Sequence, residues 1–272
     1  MRKELSLDEI KSIELKTLLY LDSFCKKHDI KYFVCAGTLL GAVRHGGFIP
    51  WDDDVDVAML RSDYEKFKSV FTDNEGKYYL LDPEKNPLYL YPFLKLCDRS
   101  TLIEERITRH SGVVMGVNID IFPLDYIEEN EEIFEQQQEK IDMYRSLATF
   151  VLNGAHQSSG IKKVFAMLAD HCIHVVGKSQ FTRAIIRESR KISKNHSNKV
   201  ACLNWLYRGT IYPAYIFDET STVQFEQYSF PAPSVPSVYL ACAYGDYMTL
   251  PPPEEQIRYH GFKAYRVSEL EG

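Results

Sequence analysis

The segment Asp52-Asp53-Asp54-Val55-Asp56 places four acids in five positions. In an extended chain, side chains two apart share a face, so Asp54 and Asp56 point together and Asp52 has the same parity. Carboxylates crowded on one face repel, and a cation relieves that repulsion. Mg²⁺, or Mn²⁺ in its place, takes oxygen ligands, often one or two carboxylates plus the phosphates of a substrate. Val55 and Val57 alternate to the other face and anchor the strand. A solvated acidic turn is the alternative. Pro50-Trp51 before the acids and Val57-Ala58-Met59-Leu60 after them argue against a loose loop.

About fifteen residues upstream, Gly37-Thr38 follows the apolar run Tyr32-Phe33-Val34-Cys35-Ala36. A glycine between a strand and a helix lets a phosphate approach the backbone, and the helix start offers free N–H groups. Thr38 adds a hydroxyl, or merely caps the helix. Arg44 could grip a phosphate with its fork of donors or pair with a nearby aspartate. His45 is a loop residue or a base. Further on, Asp120 stands in Asn118-Ile119-Asp120-Ile121-Phe122. An acid inside an apolar strand is costly unless paired or ligating. Asp120 is therefore a candidate metal ligand, or a general base for an acceptor hydroxyl. Lys95, in Phe93-Leu94-Lys95-Leu96, either neutralises a phosphate or faces water on an edge strand.

The elements that must position these groups follow from pattern. Ser6 and Glu9 form a capping box ahead of a helix whose stripe is Ile10, Ile13, Leu18, Leu21 and Cys25. Strands are predicted around 32–36, 55–60, 78–81, 93–96 and 117–121, with Asn86-Pro87 as a turn. Thr38–Arg44 reads as a short helix, and His45 to Pro50 as a glycine- and proline-marked loop. Ser62 and Glu65 read as a second capping box, and Asp125 as a turn residue. From about 128 to 208, charged and apolar residues interleave without proline. This predicts helices over 131–152, 161–176 and 181–194, broken at Gly154 and Gly177. The tail is read as proline-rich loops around a helix at 238–244.

The chain has 272 residues, 45% hydrophobic and 26% charged, with a formal net charge of −6. That length supports a sizeable core. The acidic balance excludes a nucleic-acid backbone as the main partner. No apolar run reaches the roughly 18–20 residues of a membrane span. Asp8 and Glu14 spoil a secretory signal, so a cytoplasmic protein is expected, with contact at the inner membrane face left open. The six cysteines form no CxxC pair and read as buried free thiols.

These residues resemble the LicD family of phosphotransferases, which is similar to the fukutin-related domain. The resemblance is carried by Gly37 to His45 (GTLLGAVRH), Gly47 to Met59 (GFIPWDDDVDVAM), Asp120 in NIDIFPLD, and Tyr244 to Pro252 (YGDYMTLPP). It covers about residues 15–125 and 225–260. It implies an α+β, nucleotidyltransferase-like mixed sheet flanked by helices; the shift in composition divides the chain into a core at 1–127, an inserted helical lobe at 128–222 and a returning segment at 223–272. The resemblance implies that Gly37 and Thr38 handle phosphate, while Asp54, Asp56 and Asp120, joined by Asp52, hold Mg²⁺. The family's typical reaction moves phosphocholine from CDP-choline to a teichoic acid or lipopolysaccharide, so a CDP-linked donor and a glycan or glycolipid acceptor are the implied partners. Trp51, Tyr91, Tyr244 and Tyr247 are candidates for an aromatic cage around choline, or ordinary packing residues. Three rivals stay open: a DxD glycosyltransferase, a nucleotidyltransferase that releases pyrophosphate, and an inactive scaffold.

Overall fold

A computed structural model describes residues 2–105, 108, 111–153, 177, 179–192, 197–204, 209–257 and 261–267. The predicted helix at 161–176, the break at Gly154 and Cys172 lie outside them.

The first helix, α1 (Leu7–His28), starts as its capping box requires. Ser6 Oγ accepts from the Glu9 N–H at 3.2 Å, and Glu9 accepts from the Ser6 N–H at 2.9 Å. Ile10, Ile13, Leu18, Leu21 and Cys25 are all buried. A short edge strand β1 (Lys3–Glu4) precedes it. Then come β2 (Phe33–Val34), α2 (Ala36–His45), β3 (Asp56–Leu60), α3 (Arg61–Val70), β4 (Tyr78–Leu81), β5 (Leu94–Asp98), β6 (Thr101–Glu104) and β7 (Asn118–Tyr126). After these lie α4 (Glu131–Asn153), α5 (Ser179–Ile192), β8 (Lys199–Ala201), β9 (Ile211–Pro213), β10 (Thr220–Phe225), β11 (Tyr228–Pro233), α6 (Pro236–Tyr244) and β12 (Lys263–Arg266).

The main sheet runs β2-β3-β7-β5-β4, and β8 and β9 extend it from β7. Only β3 and β7 pair in parallel among these strands; the other pairs are antiparallel. The fold is thus a mixed α+β sheet flanked by helices, as the resemblance implied. A three-stranded sheet, β1-β12-β6, and the hairpin β10-β11 complete it. Val57 and Met59 of β3, and Ile119 and Ile121 of β7, are wholly buried. Each such side chain contributes roughly 1.5–3 kcal/mol of burial, which makes the parallel pair the stiff centre of the sheet.

Several expectations change. Residues Ser62 and Glu65 form no capping box: α3 leaves β3 directly, with Leu60 at its cap and no side-chain cap bond. Glu65 pairs instead with Arg61 and Arg190. Asp125 is no turn residue. It lies inside β7, wholly buried, and takes Arg61 in two bonds of 2.7 Å. Lys95 is not on an edge strand, since β5 is flanked by β7 and β4. The stretch after 197 returns to the sheet as β8 and β9, and Pro231 and Pro233 sit inside β11 rather than in a loop. Cys242 is exposed, while Cys25, Cys35 and Cys97 are buried.

Candidate active site

The parallel register aligns Asp56 with Asp120, Ala58 with Phe122, and Leu60 with Leu124. On the other side of β7, Lys95 aligns with Asp120. One row across three strands therefore reads Asp56, Asp120, Lys95. The strand period of two turns Asp56 and Ala58, with Asp120, Phe122 and Leu124, to one face. There they line a pocket of about 510 Å³ together with Asp52, Asp54, Gly37 and Tyr244. That size suits a small molecule. The sequence separates Asp52 from Asp120 by 68 positions, and the sheet brings them to one wall.

The electrostatics of this wall are unfavourable to Asp56. Its carboxyl is pushed well above the ordinary range, first by burial, then by repulsion from Asp54, Asp120 and Asp52, with Lys95 opposing. Lys95 ion-pairs with Asp120 and donates to Asn118 Oδ1 at 3.1 Å. Although burial opposes its charge, the Asp120 carboxylate and the hydrogen bond to it raise the Lys95 ammonium above its usual value. Tyr91 and Phe93 lie 5.2 and 5.5 Å from that ammonium. Lys95 is thus a built-in counter-charge to Asp120, and Tyr91 belongs to its surroundings.

The donor set Asp52, Asp54, Asp56 and Asp120 is all oxygen, and at Asp56 it is under mutual repulsion. That chemistry fits a hard divalent cation. Among the described residues, no three His, Cys, Asp or Glu side chains are drawn close enough to hold a metal ion as they stand. The wall supplies the ligand type; substrate phosphate oxygens would have to complete a shell.

Helix α2 opens onto the same pocket two residues earlier than predicted, at Ala36. Ala36 adopts a φ of +45°, a conformation that costs a residue with a Cβ on the order of 1 kcal/mol. Its N–H donates to the Tyr239 hydroxyl at 3.2 Å, and the Tyr239 ring stacks on Tyr212 at 4.4 Å. Those contacts hold the strained start in place. A Cβ at Gly37 would stand 2.7 Å from Asp52 Oδ2, so a side chain there would push the Asp52 carboxylate out of its place. Thr38 is buried behind the wall. Its Oγ1 accepts the Asp56 N–H at 2.8 Å, so it fastens α2 to β3 rather than meeting the pocket with that oxygen.

A second cavity, about 640 Å³, shares Gly37, Asp52 and Tyr244 with the first. Trp51, Tyr244, Tyr247, Arg44, Asp246 and Glu255 are among its lining. Among the described residues, Arg44 forms no ion pair with the aspartates. It holds the returning segment by donating to the Tyr247 carbonyl at 3.0 Å, and its Nε donates to His45 Nε2 at 3.0 Å. His45 stands edge-on to Trp51, ring centroids 6.0 Å apart, and lines neither cavity. Burial and the Arg44 charge hold its imidazole below the usual value.

Sequence reasoning missed Glu14, Tyr212 and Tyr239. Glu14 is buried on the apolar face of α1, and its Oε2 lacks a hydrogen-bond partner among the described residues. Burial, then Asp54, Asp53, Asp52 and Asp120, raise its carboxyl well above the ordinary range. The signal was legible: Glu14 lies four residues from both Ile10 and Leu18, inside the helix's apolar stripe.

The register-matched aspartates of the parallel pair and the start of α2 both lie within the segment that matches a nucleotidyltransferase domain. Residues 29–147 match the family model described as LicD/FKTN/FKRP, nucleotidyltransferase domain. The chain is 27% identical over 276 residues to the lipopolysaccharide cholinephosphotransferase LicD of Haemophilus influenzae, covering 97% of this chain and 99% of that one. It is 29% identical over 130 residues to an uncharacterized protein of Rickettsia typhi, covering 47% of this chain and 40% of that one. It is 40% identical over 48 residues to human ribitol 5-phosphate transferase FKRP, covering 18% of this chain and 10% of that one. The segment 29–147 is a LicD-family nucleotidyltransferase domain.

Proposed function

We propose that this enzyme transfers a phospho-linked head group, phosphocholine first among them, from a CDP-linked donor to a hydroxyl of a cell-surface glycan such as lipopolysaccharide or teichoic acid. The carrying observation is the row Asp56–Asp120, with Asp52 and Asp54, on the wall of one pocket, Asp52 also lining the neighbouring cavity. Likeness to a lipopolysaccharide cholinephosphotransferase over nearly the whole chain supports the head group and the acceptor class. No helix among the described residues is long and apolar enough to cross a membrane. We place the protein on the cytoplasmic side, meeting a membrane-borne acceptor at the surface.

In this reading, the donor's diphosphate lies at Gly37, where the free N–H groups of the α2 start face it. Asp54, Asp56, Asp120 and Asp52 would hold Mg²⁺ there, and the ion would neutralise phosphate charge. The acceptor oxygen attacks the phosphorus of the head group, and the bond to the cytidine monophosphate oxygen breaks. The hydroxyl proton passes to a carboxylate of the wall, Asp120 taking it where it does not share the metal. The cavity beside Tyr212 and Phe122 receives the nucleoside. Trp51, Tyr244 and Tyr247, with Asp246 and Glu255, line the cavity that would take a quaternary ammonium, which aromatic rings and carboxylates attract.

The test is a product assay with CDP-choline and other CDP-linked donors plus acceptor, scored for CMP. An Asp54→Asn, Asp56→Asn double variant, shown folded by circular dichroism, is expected to lose at least about a hundredfold in rate. Full activity in that variant would sink the reading. Release of a nucleoside diphosphate would mean glycosyl transfer, and release of pyrophosphate nucleotidyl transfer.

A further inference from the structure

Helix α5 carries Arg183, Arg187, Arg190 and Lys191 at steps of three and four, on one stripe. Thr182, Ile185, Ile186 and Ser189 form its buried side. The basic stripe, with Gln180 and Glu84, lines a cavity of about 620 Å³ that shares no lining residue with the two described above. The cavity borders α3 through Arg190, which bonds Glu65 at 2.8 and 3.0 Å. Helix α3 begins where β3 ends, whereas Asp56 is where β3 begins; about 13 Å of strand separates the two ends.

The charges of this cavity are unevenly matched. The Glu84 carboxylate is taken by Arg190, at 2.6 and 2.7 Å, and by Lys68. Arg187 and Lys191 share Glu188, at 3.3 and 2.9 Å. Arg183 forms no ion pair among the described residues. Its Nη2 makes one long bond, 3.4 Å, to the Glu84 carbonyl, and its buried Nε has no partner among the described residues. A buried donor left unpaired is costly, and a guanidinium edge matches a phosphate in two parallel bonds.

We propose that this cleft binds a phosphate group at a site separate from the acidic pocket, with Arg183 gripping it and Arg187 and Lys191 supplying adjoining charge. A chain of net charge −6 repels anions on average, so a local basic cleft is where one would be retained. The phosphate is that of a soluble ligand or of a lipid head group.

The experiment titrates the full chain with inorganic phosphate by calorimetry, at constant ionic strength against chloride. Saturable binding is expected, weakened about tenfold or more by Arg183→Gln, partly restored by Arg183→Lys, and unchanged by Asp54→Asn. Phosphate binding no better than chloride, or equal binding by Arg183→Gln, overturns the proposal. Should Arg183→Gln fail to fold, hydrogen exchange of the unaltered chain decides: phosphate must protect residues 179–192, and no protection refutes the site. Cosedimentation with phosphatidylglycerol vesicles alongside phosphate binding assigns the group to a lipid; phosphate binding alone assigns it to a soluble ligand. Vesicle binding through Arg183 and Arg187 without phosphate binding would make the face a membrane patch and refute the cleft.

Discussion

At the residue scale, Glu14 and Lys95 bear opposite relations to the acidic wall. Glu14 is an uncompensated acid beneath it, and its carboxyl stands well above the ordinary range because it is buried and faces Asp54, Asp53, Asp52 and Asp120. The folded state therefore keeps a proton that the unfolded chain gives up as pH rises past the usual glutamate range, so folding stability falls as pH rises. In chelator, thermal melts of Glu14→Gln and the unaltered chain should converge near pH 4 and separate by pH 8, with the variant the more stable; equal melts at pH 8 would refute this. Lys95 compensates Asp120. Lys95→Met leaves a buried carboxylate unpaired and should cost about 3–5 kcal/mol in urea unfolding. If the wall takes divalent cations, Mg²⁺ should recover part of that loss.

At the element scale, the wall depends on how α2 is tied to β3. The Thr38 hydroxyl takes the Asp56 N–H, Tyr239 braces the left-handed Ala36, and Gly37 leaves room for Asp52. Thr38→Val keeps the shape and strands a buried N–H, which costs about 1–3 kcal/mol. Both stability and transfer should fall, because Asp56 loses its anchor. A variant with unchanged urea midpoint would show the bond to be unimportant. The same elements show where pattern reading succeeded. The α1 capping box and stripe, β3, β4 and α6 came from strong local signals. The box at Ser62 and Glu65 did not form, because α3 grows straight out of β3 and Glu65 is drawn away by Arg61 and Arg190. Strands β8, β9, β10 and β11 were illegible, since strands of three residues and a proline-bearing hairpin carry little periodicity.

At the scale of the whole molecule, three buried clusters divide the work. The largest spans α1, α2, the main sheet and the hairpin; a second lies under β1, β6 and β12; a third joins α4 to α5 and β8. The second cavity exists because the end of α6 and the segment after it lay Tyr244 and Tyr247 beside Trp51, nearly two hundred residues earlier in the chain. Tyr247→Ala should weaken binding of CDP-choline by about three- to thirtyfold while affecting CDP-ethanolamine less. Equal losses for both donors would remove the aromatic cage from the reading.

The residue types, and the alternation along β3 from Asp56 onward, were determined by sequence alone, because a strand's period of two is a local property. So were the capped first helix and the special place of Gly37. Only the tertiary structure decided that Asp120 stands level with Asp56, that Lys95 answers Asp120 instead of water, and that Thr38 serves the backbone of β3. It alone brought Trp51 to Tyr247 and left Tyr91 elsewhere. Register between strands and the return of a distant segment are set by packing across the whole core, and no local spacing encodes them.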